Sequence, residues 1–501
     1  MKPIILLITS LILSACGCYS ASTHRNILFI LVDDQRHDAL SCLGHPFLST
    51  PAADSLVSGG VRFRNAFVTT SLCSPSRASI LTGLYAHSHR VVDNQSGIAP
   101  GLRFFSEDLR DAGYRTAFIG KWHMGHDHDA PQPGWEHWVS FTGQGHYFPD
   151  LPNGKKSLLN VDGQRVEQKT YITDELTDYA LTWLRKRHGE ADKKPWMLYL
   201  SHKAVHHNFQ PAPRHQGRYA HAKVAPSPTT KGTPEDELKP MWARNMRNSW
   251  HGAEHAFHGT EGSVENLYRR YCETLLAVDE STQRLLDFLR QTGQLGSTLI
   301  IYMGDNGHLW GEHGLIDKRT AYEPSIRVPL ILHCPDLLPA GRIVEALAAN
   351  IDVAPTVLDA AGLKVGRPMH GRSLLPLARG EPVANWRTEL LYEYFWERWA
   401  PSTPTLHALI TPRWKYIRAY GLWDVHELYD LENDPHELHN LFAHPAHRAR
   451  ALQMDQRLFE LLAETEGHSI PLHRGWNGSA KEERSSAQSG WAPFPKSMTA
   501  P

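Results

Sequence analysis

The 501-residue chain has no excess of either charge, with 52 Lys plus Arg against 53 Asp plus Glu and a formal net charge of -1. That balance excludes a broad electrostatic attraction to nucleic acid or to an anionic membrane, so any function built on charge must be local. Cysteine is scarce, and six in a chain of this length cannot make the disulfide framework of a small secreted domain. Long apolar runs are missing as well. The stretch from Ile4 to Leu13 falls short of the roughly 18 residues a membrane helix needs, and no other run reaches that length. What is present is a hydrophobic fraction of 41%, which excludes a disordered polymer. At roughly 100 to 200 residues per domain the length predicts two to four domains, or one large α/β core with an appendage. Histidine is the unusual component: 31 of them suit a metal store, a catalytic set or simply a surface.

The start of the chain reads as an export signal over 1–21. Met1-Lys2 is a short basic opening, Ile4 to Leu13 is apolar, and Leu13-Ser14-Ala15-Cys16 puts small residues before a cysteine. The Leu-Ser-Ala-Cys order resembles a bacterial lipoprotein box, in which Cys16 would carry the lipid. The alternative is an ordinary secretory signal cut near Ala15 or Ala21, and both place the protein outside the cytoplasm.

Asn26 to Val32 is a continuous β-rich apolar run that ends in Asp33-Asp34, the pattern of a strand buried on both faces of a parallel sheet. Ser297 to Tyr302 repeats it and leads through Met303-Gly304 to Asp305-Asn306. Shorter strands are predicted at Arg115 to Ile119, Trp196 to Leu200 and Val328 to His333. Helices are predicted at Pro75 to Leu84, Thr173 to Arg187, Val264 to Gln291 and Ala354 to Ala361. The alternation predicts a large doubly wound α/β sheet sandwiched by helices, with ligand at the carboxyl ends of its strands. The segment 210–262 lacks periodicity and reads as an insertion over the site within a catalytic domain of 22–379. A small C-terminal α+β subdomain is expected over 380–472, from a strand at Trp414 to Ala419, Glu427 to Leu431, and a helix at Ala446 to Ala463. The stretch 473–501, rich in Ser, Gly, Pro and charge, reads as a disordered tail.

The most specific segment is Cys73-Ser74-Pro75-Ser76-Arg77-Ala78-Ser79-Ile80-Leu81-Thr82-Gly83. Pro75 and the apolar run that follows place Cys73 at a helix N-terminus, where anions are favoured, and Arg77 adds a bidentate oxyanion donor. From these residues alone, Cys73 is either a reactive thiolate or a structural cysteine. The two acid-bearing turns offer hard oxygen ligands, which suit Ca²⁺ or Mg²⁺ rather than zinc. Neighbours in a regular strand face opposite ways, so Asp33 and Asp34 can share one ion only if the backbone turns between them.

With C-x-P-x-R followed by Leu-Thr-Gly, the sequence resembles the type I, formylglycine-dependent sulfatases of the alkaline-phosphatase-like superfamily. Further motifs recur in order: Gly113-Tyr114-Arg115-Thr116 before Gly120-Lys121-Trp122-His123, Ser201-His202-Lys203-Ala204-Val205-His206, and Gly311-Glu312-His313-Gly314 through Lys318-Arg319. The resemblance spans roughly Arg25 to Ala463. It implies that a formylglycine-generating or anaerobic sulfatase-maturating enzyme oxidises Cys73 to formylglycine, whose hydrate attacks sulfur. It makes Asp33, Asp34, Asp305, Asn306 and formylglycine-73 the ligands of one divalent cation, Ca²⁺ with Mg²⁺ as the alternative. Arg77, Lys121 and Lys318 then hold the sulfate, His206 or Lys318 protonates the leaving alcohol, and His123 partners the formylglycine hydroxyl. The family commonly has Pro before its active-site histidine where Val205 stands here, which leaves His206 and His207 as neighbours in contention, with alignment favouring His206. His308 and His313 are expected near the site but not as ligands.

The stretches Ser201 to His206, Gly311 to Arg319 and Gly421 to Leu431 resemble bacterial sulfatases described as N-acetylglucosamine-6-sulfatases, which act on glycosaminoglycan fragments. Trp135, Trp138, Trp242 and Trp250 fit either sugar stacking or packing. The competing expectations are a sulfatase for another sulfated polysaccharide, a phosphonate monoester or phosphodiester hydrolase with the same motifs, and a glycan-binding lipoprotein whose Cys73 is never converted.

Overall fold

The structure, a computed structural model, describes residues 24–125, 128–227, 238–253, 263–364, 366–420 and 425–471, and the backbone of Trp491–Pro493. The expected signal over 1–21 and nearly all of the expected tail lie outside the described residues. Ten strands form the main sheet: β1 (Ile27–Val32), β2 (Val61–Phe63), β3 (Arg115–Gly120), β4 (His137–Ser140), β5 (Leu158–Val161), β6 (Gln164–Glu167), β7 (Trp196–Ser201), β8 (Leu299–Gly304), β9 (Leu330–His333) and β10 (Arg342–Val344). Their order is β10-β2-β9-β8-β1-β7-β3-β4-β5-β6. The central run β8-β1-β7-β3-β4 is parallel, while β9 on one side and β5 and β6 on the other run antiparallel to their neighbours. Every residue of β1, β7 and β8 is buried, which explains why these strands are unbroken apolar runs in the sequence.

Helices cover both faces. Ile27, Phe29 and Leu31 of β1 share a core with α2 (Cys73–Thr82), α3 (Phe105–Asp111) and α6 (Val353–Ala360). The alternate residues Leu28, Ile30 and Val32 pack with α1 (Pro51–Gly59), α4 (Ile172–Gly189) and α5 (Val264–Gln291). In α5 the buried Leu267, Tyr271, Leu275, Val278, Leu285 and Leu289 keep the helical period, and the Ser263 hydroxyl caps its start. Helix α2 starts two residues earlier than predicted, so Cys73 is its first residue, and it ends where Gly83 takes the left-handed conformation.

A second, four-stranded antiparallel sheet follows: β11 (Leu390–Tyr394), β12 (Thr405–Ile410), β13 (Trp414–Tyr420) and β14 (Glu427–Asp430), in that order, with α7 (Arg448–Glu464) packed on it. Strands β11 and β12 escape the sequence pattern because each carries a buried ionisable residue at its centre. Glu393 lies directly opposite His407 in the register, and Glu393 Oε1 also pairs with His87 Nδ1 at 2.7 Å. Trp135, Trp138 and Trp242 are packing residues: Trp138 stacks on Phe118 at 4.6 Å, Trp135 meets Phe105 and Phe118 edge-on, and Trp242 lies in the core. Of the four, Trp250 alone is substantially exposed. No helix among the described residues is long and apolar enough to cross a membrane.

Candidate active site

Four adjacent parallel strands deliver the candidate residues at their carboxyl ends: Asp305 and Asn306 after β8, Asp33 and Asp34 after β1, Lys203 and His206 after β7, and Lys121 after β3. Hydrogen bonds carry the sheet past the strand ends, from Asp305 N to Val32 O (3.1 Å), Val205 N to Asp33 O (2.8 Å) and Lys121 N to Ser201 O (2.8 Å). Gly120 makes the last of these approaches, because a Cβ built on it would lie 1.8 Å from Ser201 O. The backbone turn required between Asp33 and Asp34 is present: Asp34 has a φ of 60°, and its amide donates to Asp305 Oδ1 at 2.9 Å. The turn brings carboxylate oxygens of Asp33, Asp34 and Asp305 within 4.8 Å of one another.

Three cations face these acids. The Arg77 guanidinium, 2% exposed, donates to Asp305 Oδ2 (2.7 Å), to Lys121 O (2.8 Å) and to Ser201 Oγ (2.6 Å), which leaves it no freedom to rotate. The Lys121 ammonium pairs with Asp33 and the Lys318 ammonium with Asp34. Burial works hardest to raise the Asp33 carboxyl, but Lys121, His206, Arg77 and Lys318 together hold it well below the usual carboxylate range. Asp305 goes the other way. Burial and then the Asp33 charge push it up to about 7, so three acids in this space are more than three cations compensate.

Cys73 Sγ lies 3.6 Å from both Asp33 Oδ1 and Lys121 Nζ. Burial pushes its thiol up to about 12 despite Lys121 and Lys318, which disfavours a thiolate here. His206 Nε2 stands 3.8 Å from Asp34 Oδ2, and His206, Asp33 and Cys73 offer atoms within 4.8 Å of one another. The ring of His207 instead meets Phe209 edge-on, so His206 is the member of the pair in the cluster. His123 was expected against residue 73, yet its hydrogen bonds reach Ser74, the hydroxyl donating to His123 O with His123 Nδ1 3.4 Å away. His308 stacks on Trp310 within electrostatic reach of Asp34 and Lys318, and His313 stacks on Tyr322, both rings buried.

The donor set fits a divalent cation. Asn306 Nδ2 donates to Asp34 Oδ1 (2.6 Å) and Gly307 O (2.9 Å), while its Oδ1 is buried with no hydrogen-bond partner. An acceptor left open beside three crowded carboxylates has the chemistry of a hard-cation site made of oxygen alone. Sequence reasoning missed Ser201, which Arg77 binds, and Asn94, whose Oδ1 accepts from the amide of Ser74 at 3.1 Å. Ser201 opens the motif that leads to His206 but is neither acid nor base, and Asn94 lies in no motif, so nothing in the sequence marks either as a partner in the site.

A cradle for a tetrahedral anion beside a hard-cation site, at the strand ends of a helix-covered mixed sheet, defines an ester hydrolase of the alkaline-phosphatase-like class. Within that class the chain belongs to the sulfatase family, whose profile matches residues 25–363, and it is a sulfuric ester hydrolase. A second profile, the C-terminal region of N-sulphoglucosamine sulphohydrolase, matches residues 311–464. The chain is 32% identical to an N-acetylglucosamine-6-O-sulfatase of Bacteroides thetaiotaomicron, over 93% of this chain and 91% of that protein. It is 31% identical to PehA, a multifunctional alkaline phosphatase superfamily protein of Trinickia caryophylli, over 85% and 93% of the two chains. A solved protein in complex with its substrate D-glucosamine-2-N,6-O-disulfate superposes with a TM-score of 0.78 at 30% identity, covering 88% of this chain and 98% of the other.

Proposed function

We propose that this chain removes the 6-O-sulfate of N-acetylglucosamine units from glycosaminoglycan fragments, after a formylglycine-generating or anaerobic sulfatase-maturating enzyme has converted Cys73. The observation that carries the reading is the placement of Cys73 at the start of its helix, with Sγ 3.6 Å from both Asp33 Oδ1 and Lys121 Nζ, inside the cluster of acids and cations. The substrate assignment draws support from the glucosamine sulfates that the relatives' names and the bound neighbour specify. We take 22–379 as the catalytic domain with 210–262 inserted near the site, and 380–472 as a C-terminal subdomain. We take the protein as exported, a periplasmic or outer-membrane lipoprotein anchored at Cys16, with secretion after an ordinary signal cleavage as the alternative.

Asp33, Asp34, Asp305, Asn306 and residue 73 would hold the cation, Ca²⁺ with Mg²⁺ as the alternative. A bound ion would supply charge stabilisation at the sulfate oxygens, and formylglycine at position 73 would supply a hydrated aldehyde as nucleophile toward sulfur, the sulfur–sugar oxygen bond being the one to break. The chain's own residues do the rest. Arg77 fixes the Asp305 carboxylate and the Lys121 carbonyl, so the cradle is rigid before substrate arrives. Lys121 and Lys318 bring ammonium groups to the sulfate oxygens, whose own charge otherwise shields the sulfur. His206 or Lys318 hands a proton to the departing sugar oxygen, and His123, which here contacts the neighbouring Ser74, accepts one from residue 73 once the larger formylglycine hydrate reaches its ring.

The test is mass spectrometry of the Cys73 peptide from the native host, where conversion lowers the mass by about 18 Da, followed by a screen of defined sulfated saccharides. An unmodified thiol would sink the enzyme reading. Release of sulfate from other positions but not O6 would move the substrate. The kinship with PehA favours one second reading, a phosphonate monoester or phosphodiester hydrolase, and parallel assays on an aryl sulfate and an aryl phosphodiester separate the two.

A further inference from the structure

The turn that carries His206 is held by Lys203 from its own motif and by Tyr147 and Tyr171 from outside every motif named above. The Tyr147 hydroxyl donates to His206 O at 2.6 Å, and the residue is 2% exposed. The Lys203 ammonium lies 4.6 Å from the centre of the Tyr147 ring and donates to His207 O at 3.4 Å. Tyr171 stacks on Tyr147 at 5.8 Å and donates from its own hydroxyl to Gln210 O at 2.8 Å. Within the turn, His207 O also meets His206 Nδ1 at 2.8 Å. With Nδ1 engaged there, Nε2 is the nitrogen left to face Asp34 and residue 73.

We propose that Tyr147, backed by Lys203, is a positioning residue that aims His206 Nε2 at the departing oxygen of the substrate. The proposal rests on the reading of His206 as the proton donor to that oxygen. Its logic is geometric: the phenol fixes one carbonyl, the ammonium fixes the next, and the second carbonyl fixes the ring. A proton donor matters in proportion to the basicity of the leaving group, so a misaimed His206 slows esters of poor leaving groups and spares those of good ones. A phenylalanine at 147 keeps the stacking on Tyr171 and removes only the hydroxyl.

The experiment compares matured wild type, Tyr147→Phe, Lys203→Met and His206→Ala on a series of aryl sulfates whose phenols have pKa values from about 5 to about 10, with the sugar 6-sulfate as the poorest leaving group. Expected for His206→Ala is a loss of kcat/KM that grows along the series. Tyr147→Phe is expected to follow the same slope at smaller amplitude, about 10- to 50-fold on the sugar sulfate and under about twofold on the best leaving group. Lys203→Met is expected to slope in the same direction. An equal loss on every ester by Tyr147→Phe, or no loss, overturns the proposal while leaving His206 as the donor. A leaving-group-independent loss by His206→Ala overturns the donor reading itself, and the proposal with it.

Discussion

Around Cys73 the acids Asp33, Asp34 and Asp305 crowd together with Arg77, Lys121 and Lys318, one carboxyl is driven up to about 7, and the Asn306 oxygen stays open. At the seam between the two sheets, charge is buried just as deeply and arranged the other way. The Lys415 ammonium sits between Glu323 Oε1 (2.8 Å) and Glu437 Oε1 (2.7 Å), and the amide of Glu323 donates to Glu437 Oε2 at 2.8 Å. The hydroxyls of Tyr322 and Tyr429 both donate to Glu427 Oε2, and Lys239 donates to Tyr429 OH (2.8 Å) and Glu437 O (3.0 Å). The seam network places an ammonium or a phenol against each of its acids, although burial raises Glu437 to about 7 just as it does Asp305. What sets the strand-end cluster apart is convergence: among the described residues, only there do three acids bring oxygens within 4.8 Å of one another, the arrangement a hard cation needs.

The sharpest way to break this comparison is to change the strand-end cluster without touching the fold. Cys73→Ser exchanges one atom, and a serine cannot release sulfate as a hydrated aldehyde does. The expected result is loss of turnover by more than about 10³-fold, or a sulfated enzyme visible by intact mass, with the melting temperature unchanged. Turnover near that of wild type would refute the mechanism. Removing the cation comes next. Chelation and dialysis should cost more than about 100-fold in activity and lower the melting temperature, because the acids then repel without an ion between them. Titrating Ca²⁺ and Mg²⁺ back separately identifies the ion, and activity indifferent to chelation would remove the metal from the site.

The seam network should answer in the opposite currency. Lys415→Met leaves Glu323 and Glu437 without the ammonium they share, and breaking a buried pair this way costs about 3 to 5 kcal/mol. The melting temperature should fall clearly, while kcat of the folded enzyme at 25 °C stays within about threefold of wild type. A kcat loss as steep as that of Lys318→Ala would show that the seam belongs to the catalytic apparatus, five residues away through the chain from Lys318 to Glu323.

These two regions also differ in how far they can be read from sequence. Asp33-Asp34, Cys73 to Gly83, Lys121 to His123 and Asp305-Asn306 were legible because each falls directly after an apolar strand or at a helix start, where local pattern and chemistry coincide. The parallel centre of the sheet was legible for the same reason. The seam was not: Lys415, Glu323, Glu437 and Lys239 lie 92, 22 and 190 or more residues from their partners, and no local spacing joins them. Strands β11 and β12 were hidden by the Glu393 and His407 at their centres, and Tyr147 by lying in a loop whose role depends on a carbonyl 59 residues away.

The smallest expected effect tests the seam through pH. Burial, then the charge of Glu323, outweigh Lys415 and raise the Glu437 carboxyl to about 7, against an ordinary value of 4.5. A carboxyl raised on folding binds more protons in the native state than in the unfolded chain. Its contribution is therefore fully present below about pH 4.5 and is lost as pH rises through about 7, a span worth about 3 kcal/mol at most. Denaturant unfolding from pH 5 to 8 should show stability falling across that window in wild type. Glu437→Gln keeps the shape and removes the titration, so its stability should fall less steeply over the same range. The strand-end cluster should add no such slope once its cation is bound, since the ion takes the place of the proton on Asp305. An identical slope in Glu437→Gln and wild type would mean that Lys415 compensates both acids fully, and the seam would then carry no unmet charge at any pH.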